Sequence, residues 1–205
     1  MPNITIEPVS ADRFDDAQHA LTGGGDGRSC QCQWWMMPNK EFNATTTDDR
    51  RRMLHAEVAA GPPPALIAYV DGEAAGWVRV GPRTRQVRLA RTKAFAANSG
   101  EPWDDASVWT VSCFVVRREY RRQGLNARLL DAAIDYAKAG GARVIEAYPV
   151  DPTSGRAKSS NELYHGVLST FENAGFREVA RARPHAAARR RRRVGRTRHR
   201  VVIAA

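Results

Sequence analysis

Residues 108–148 constrain the fold more than any other part of the chain. Val108 to Val116 is nearly all apolar and β-branched, as in a strand buried on both faces. Gly124 to Lys138 has the clearest helical pattern, with Leu125, Leu129, Ala133, Ile134 and Ala137 on one face. Gly140-Gly141 ends it, and Arg143 to Tyr148 reads as another strand, closed by Pro149. A strand, a helix and a strand of these lengths form a right-handed crossover between parallel neighbours.

The other segments supply the rest of a sheet and its cover. Ile4 to Glu7 alternates as a short strand. A helix is expected from Ser10, as N-cap, to about Leu21, and a flexible loop over Thr22 to Gly27, where four of six residues are Gly. A second helix starts at Thr47 or Asp48 and stops before Gly61 and Pro62-Pro63-Pro64. Ala65 to Val70 and Ala75 to Val80, joined at Asp71-Gly72, read as a hairpin. Gly81 to Asp105 looks polar and irregular, and Asp151 to Ser160 reads as a loop. A last helix is expected over Asn161 to Ala174, ended by Gly175, then a strand from Phe176 to Arg181. An antiparallel hairpin beside a parallel pair gives a mixed sheet with helices on its faces, an α/β fold. The length of 205 residues fits one domain, residues 1–182, with an extension over 183–205.

The net charge of +10 resembles a nucleic-acid signature until it is divided along the chain. Residues 181–205 hold ten Arg and no acid, so residues 1–180 carry 22 Lys and Arg against 22 Asp and Glu. The body is therefore not a basic nucleic-acid-binding domain, and such contact is expected only through the Arg-rich tail. That tail, with Arg189 to Arg193 in one run, reads as a solvated extension, unless Val201-Val202-Ile203 adds a last strand. No apolar run approaches the roughly 18 residues of a membrane span. The first ten residues lack a secretory pattern. Three cysteines, Cys30, Cys32 and Cys113, are too few for a disulfide scaffold, so a cytoplasmic location is expected.

The chemistry is concentrated between Val115 and Arg128. A buried strand leads into a basic turn, and the turn opens a helix at Gly124. A helix N-terminus offers unpaired N–H groups and a positive dipole end, where phosphate binds. Gly124 lets a diphosphate approach the backbone, and Arg121, Arg122 and Arg128 add charge. The alternative is that these arginines only solvate a helix start.

These residues resemble the diphosphate loop of the GNAT (Gcn5-related) N-acetyltransferases, which reads Gln/Arg-x-x-Gly-x-Gly/Ala. Here it reads Arg121-Arg122-Gln123-Gly124-Leu125-Asn126, with Asn in the last place. Cys113-Phe114-Val115-Val116 is similar to the family strand that pairs with pantetheine. Phe171-Glu172-Asn173-Ala174-Gly175-Phe176 is similar to the family's Tyr-x-x-x-Gly-Phe, and the hairpin Asp71 to Gly76 also fits. The resemblance covers residues 65–180 well. It implies a mostly antiparallel central sheet, a parallel strand pair splayed at the cofactor site, and helices on both faces. It implies acetyl-CoA as acyl donor, held by Phe114, Val115 and Val116 and by Arg121, Arg122, Gln123, Gly124, Leu125, Asn126, Ala127 and Arg128. It implies N-acetylation of an amine, here expected to be a small molecule, by direct attack, and homodimers are usual for it.

Two catalytic positions depart from the family pattern. The Tyr used as general acid matches Phe171, and the Glu used as base matches Ser112, which is left only a water relay. Glu146 is a candidate base, since an apolar strand raises a carboxyl pKa, with an ion-paired Glu as the alternative. Tyr164 is a candidate on the face shared with Phe171, with a packed core Tyr as the alternative. Tyr148 and Asp151 end a strand where α/β sites form. Trp34 and Trp35 are expected as a wall of the acceptor pocket suited to a flat or cationic group, or as buried apolar residues. Cys30 and Cys32 lack a second ligand pair at metal spacing, so no metal is expected. Two other functions fit the same residues: an idle acyl-CoA-binding module, and an acetyltransferase of a macromolecule docked by the Arg-rich tail.

Overall fold

The computed structural model describes residues 2–153, 158–181 and 198–203. The chain opens with β1 (Ile4–Pro8) and the helices α1 (Phe14–Ala20), α2 (Gly27–Cys30), α3 (Asn39–Asn43) and α4 (Thr47–Ala60). The hairpin β2 (Ala65–Val70) and β3 (Glu73–Pro82) follows, then the short helices α5 (Val87–Arg91) and α6 (Lys93–Ala96). The crossover consists of β4 (Val108–Val116), α7 (Leu125–Ala139) and β5 (Val144–Ala147). Then come α8 (Leu168–Asn173), β6 (Arg177–Arg181) and β7 (Arg198–Ile203).

The strand order is β1-β2-β3-β4-β5-β7-β6. Strands β1 to β4 pair antiparallel, and β4 pairs parallel with β5. The mixed α/β fold with its parallel pair is the one the sequence implies. Strand β7 enters between β5 and β6 and runs parallel to both. The Arg189 to Arg193 run lies outside the described residues.

Side-chain alternation along β2 divides the core into two layers. Leu66, Ala68 and Val70 face α7, meeting Leu125, Leu129 and Ala133. Ala65, Ile67 and Tyr69 face the opposite way, onto Phe14 and Ala17 of α1 and Leu54 and Val58 of α4. Helix α4 begins where expected, because Thr46 and Asp49 form a capping box: Asp49 N donates to Thr46 Oγ1 at 3.1 Å, and Thr46 N donates to Asp49 Oδ2 at 2.8 Å.

Three expectations need correction. Helix α1 starts at Phe14 rather than after Ser10, with no side-chain cap. Arg13 turns back to pair with Glu7 at 2.5 Å, which holds residues 10–13 against β1 instead. Residues 81–105 are not irregular throughout: α5 and α6 bury Leu89 and Phe95 in a small separate core with Trp35 and Tyr148. The helix expected over Asn161 to Ala174 is confined to α8. Gly166, at φ +80°, breaks it, and a Cβ there would lie 2.8 Å from the Phe171 ring. No helix among the described residues is long and apolar enough to cross a membrane.

Leu129 is fully buried beneath the sheet. Leu129→Ala should therefore lower the unfolding free energy by about 2–5 kcal/mol, read as a reduced urea midpoint with unchanged slope.

Candidate active site

The site begins with a misfit between β3 and β4. Their register steps from Arg79↔Cys113 to Val80↔Val111, leaving Ser112 as an extra residue on β4. Beyond the bulge, Phe114 faces α7 while Cys113 and Val115 face the α1/α4 layer. Pairing with β5 ends at Val111↔Ala147, so the last five residues of β4 have no strand on that side. Trp35 Nε1 donates to Ser112 O at 3.2 Å, and Phe114 N donates to Tyr164 O at 2.7 Å. Arg117 N donates to Ala75 O across β3 at 2.9 Å. By alternation, Val116 N points the other way, into the gap.

A cavity of about 480 Å³ fills this gap, lined by Cys113 to Val116, Cys30, Cys32, Trp34 and Tyr164, with Arg121 and Asn126 at its mouth. A second opening of about 590 Å³ adjoins it, lined by Gly23 to Gly25, Arg117, Arg118, Arg121 and Asn161. Gly124 precedes α7 at φ +74°, with no side chain capping the helix and nothing within 4 Å of where a Cβ would stand. The first-turn donors are thus open to an anion. Arg122 and Arg128 are exposed beside them. Arg121 is committed elsewhere: its Nε donates to Val116 O at 3.1 Å and its Nη2 to Gly23 O. It clips the Gly-rich loop to the strand end. That loop, expected to be flexible, is seated: a Cβ on Gly23 would lie 2.8 Å from Arg117 N.

A family profile described as the acetyltransferase (GNAT) family matches residues 31–164. The chain belongs to this family. A comparison with curated proteins returned no significant match. Among solved structures, the chain is similar to a GCN5-related N-acetyltransferase from Kribbella flavida: 13% identity, TM-score 0.43, covering 72% of this chain and 30% of that one. It is similar to yncA, a putative acetyltransferase from Salmonella typhimurium with acetyl-CoA: 18%, TM-score 0.39, covering 67% and 65%. It is also similar to the paia N-acetyltransferase from Thermoplasma acidophilum with coenzyme A: 13%, TM-score 0.41, covering 68% and 75%.

Within this GNAT chain the expected catalytic residues separate. Tyr164 lines the cavity of about 480 Å³, though on a turn rather than on the helix of Phe171, and burial pushes its hydroxyl pKa up. Phe171 is fully buried against Phe114 and Phe176. Glu146 is fully buried and does not line the cavity. It pairs with Arg83 at 2.6 Å and accepts from Ser99 and from the Tyr148 hydroxyl at 2.9 Å. The ion-paired alternative is what the structure contains, and a carboxylate so enclosed has no path to a substrate proton. Tyr148 is bound into the same cluster. Asp151 is tied to Arg181 at 2.6 Å, and its pKa is held at about 2 by the Thr153 hydroxyl and Arg181. Ser112 is buried off the cavity, with its Oγ unpartnered.

Trp34 does form a wall, but its face is taken. The Arg88 guanidinium lies 3.6 Å over the ring, and Arg50 covers Phe42 at 4.1 Å. The preference for a cationic group expected from these aromatics is therefore met by the chain's own arginines. Sequence reasoning read the glycine loop as flexible, gave the cysteines no part in the site and did not single out Arg88. Trp77 Nε1 donates to Cys32 Sγ at 3.3 Å. The Cys113 thiol's hydrogen bond and the Arg79 charge lower the Cys32 pKa to about 7, while burial raises Cys30 to about 11. Only the glycines and the Trp-Trp pair carried any signal along the chain.

Glu146→Gln should destabilise the fold by about 3–5 kcal/mol by stranding buried Arg83, measured by urea unfolding. A loss below about 1 kcal/mol would show that the pair is not holding this layer together. Burial lowers the His165 pKa to about 3. The unfolded chain therefore binds a proton that the folded one refuses, and stability should fall as pH drops from about 6.5 toward 3. His165→Gln should flatten that part of the pH–stability curve, and an identical slope would remove the assignment.

Proposed function

We propose that this chain transfers the acetyl group of acetyl-CoA to the amine of a small molecule by direct attack. One observation carries the reading: Val116, whose N–H points into the gap of a parted strand, lines the same cavity as Asn126 in the first turn of a helix left uncapped at Gly124. The N–H suits a thioester carbonyl and the helix N-terminus a diphosphate. Asn126, where the resemblance calls for Gly or Ala, is exposed at the cavity mouth and leaves the approach open.

Acetyl-CoA supplies an activated acyl group. The first turn of α7 binds its diphosphate through backbone donors, with Arg122 and Arg128 adding charge. Val116 N–H stabilises the negative charge that develops on the carbonyl oxygen. As the new N–C bond forms and the C–S bond breaks, the Tyr164 hydroxyl, kept protonated by burial, gives its proton to the departing sulfur and regains one from water. No carboxylate reaches the cavity wall among its lining residues except Asp26, beside the glycine loop. The acceptor therefore enters as the free amine and gives its proton to water.

Calorimetry should show micromolar acetyl-CoA binding, about −8 kcal/mol. Gly124→Val should weaken it about tenfold or more while the protein still melts cooperatively; unchanged affinity would remove the loop assignment. Tyr164→Phe should keep that affinity and lower kcat by about 10²-fold or more. Binding without turnover on any amine would favour the idle module instead.

A further inference from the structure

Arginines with almost no exposure occur at three places, and they are not alike. Arg79 is paired with Glu57, and Arg83 with Glu146. Arg88 is 8% exposed, yet among the described residues no carboxylate lies within ion-pair distance of it. Its Nε donates to Trp34 O, its Nη1 reaches Asn39 Oδ1 only at 3.5 Å, and its Nη2 is buried with no partner. A charge removed from water is held at a cost unless a counter-ion meets it. Its two buried counterparts show how this fold normally provides one.

Arg88 lines a cavity of about 380 Å³ with Arg91, Asn39, Thr92, Trp34 and His165. Arg91 is exposed. His165 stays neutral, so the charge facing the cavity is that of the two arginines. Trp34 lines both this cavity and the one of about 480 Å³ beside β4. We propose that this second cavity binds a carboxylate on the acceptor, so that the substrate is an amine that also carries an acid, of amino-acid size. The planar guanidinium lies on the Trp34 face with Nη1 weakly held and Nη2 buried without a partner, so a small side-chain shift that bares Nη2 to the cavity gives a fork that matches a carboxylate. The amine end then reaches past Trp34 to the parted strand. The substrate class rests on the acetyl-transfer reading, whereas the carboxylate site does not.

Matched pairs of amino acids and their carboxamides, which differ in the charged group, are the probes. Two readouts keep the questions apart: thermal shift with the probe alone, and acetyl transfer at saturating acetyl-CoA. At least one acid should raise the melting temperature where its amide does not, and should be acetylated about tenfold or more faster in kcat/KM. Arg88→Met should erase both differences while retaining wild-type acetyl-CoA affinity. Arg88→Lys, which keeps the charge without the fork, should reduce them in a variant closer to the wild-type fold. Equal response to acids and amides, a preference that survives Arg88→Met, or a response only to amines bearing phosphate would overturn the carboxylate site. Acids that stabilise the protein without any transfer would leave the site standing and overturn the acetyl-transfer reading and the substrate class that rests on it.

Discussion

A strand that separates from its neighbour leaves backbone donors and acceptors that must be paired by something else. In this chain that requirement organises the site. Beyond the Ser112 bulge, β4 has no strand on its β5 side, and its polar groups are met by two segments distant in sequence and by Arg121 of the turn that follows it. Trp35 takes the Ser112 carbonyl, Tyr164 takes the Phe114 amide, and Arg121 takes the Val116 carbonyl. The contacts tie β4 to the Trp34-Trp35 segment, to the turn before α8, and to the glycine loop through Gly23. By alternation the Val116 amide points into the same gap. The parting of two strands thus sets both the shape of the cavity and the position of its best-placed hydrogen-bond donor.

The electrostatic layout follows a second rule. Where the fold needs a buried arginine for structure, it supplies a carboxylate: Glu57 under the sheet for Arg79, Glu146 behind β5 for Arg83. These pairs do not line the cavities around Trp34. This is why Glu146, the only acid on β5, is spent on architecture. The cavity beside Trp34 instead carries the unpaired Arg88 and the exposed Arg91, so its field favours a ligand with a negative group. A diphosphate would meet the α7 terminus, and an acid would meet Arg88.

The elements that were legible in the sequence are those specified by local pattern. Helix α7 shows its buried stripe over four turns, α4 carries its capping box, and Asp71-Gly72 fixes the β2–β3 turn. The loop at Gly124 was legible because a strand, a glycine and an amphipathic helix follow one another directly. What was not legible depends on partners far along the chain. Nothing near Glu146 announces Arg83, 63 residues away. Nothing near Trp34 announces Arg88, 54 residues on. The break at Gly166 follows from the close approach of the Phe114 and Phe171 rings, a tertiary contact that overrides the helical pattern around it. Helices α5 and α6 are too short to show periodicity and are held by burial of Leu89 and Phe95.

The unsatisfied buried atoms sharpen this division between architecture and site. Among the described residues, the side-chain polar atoms buried without a partner are Arg83 Nε, Gln86 Oε1, Arg88 Nη2, Thr110 Oγ1 and Ser112 Oγ. Each such atom costs about 1–3 kcal/mol. Randomly placed defects would scatter through a chain of this length. These fall in two segments, residues 83–88 and the middle of β4, which meet where Trp35 spans from the Ser112 carbonyl to the Arg88 backbone amide. Of the five, Arg88 Nη2 is the one whose side chain lines the cavity of about 380 Å³. A donor with no acceptor in the free molecule is well placed to gain one on binding, and the energy recovered there adds to affinity and discriminates against any ligand that lacks the acceptor.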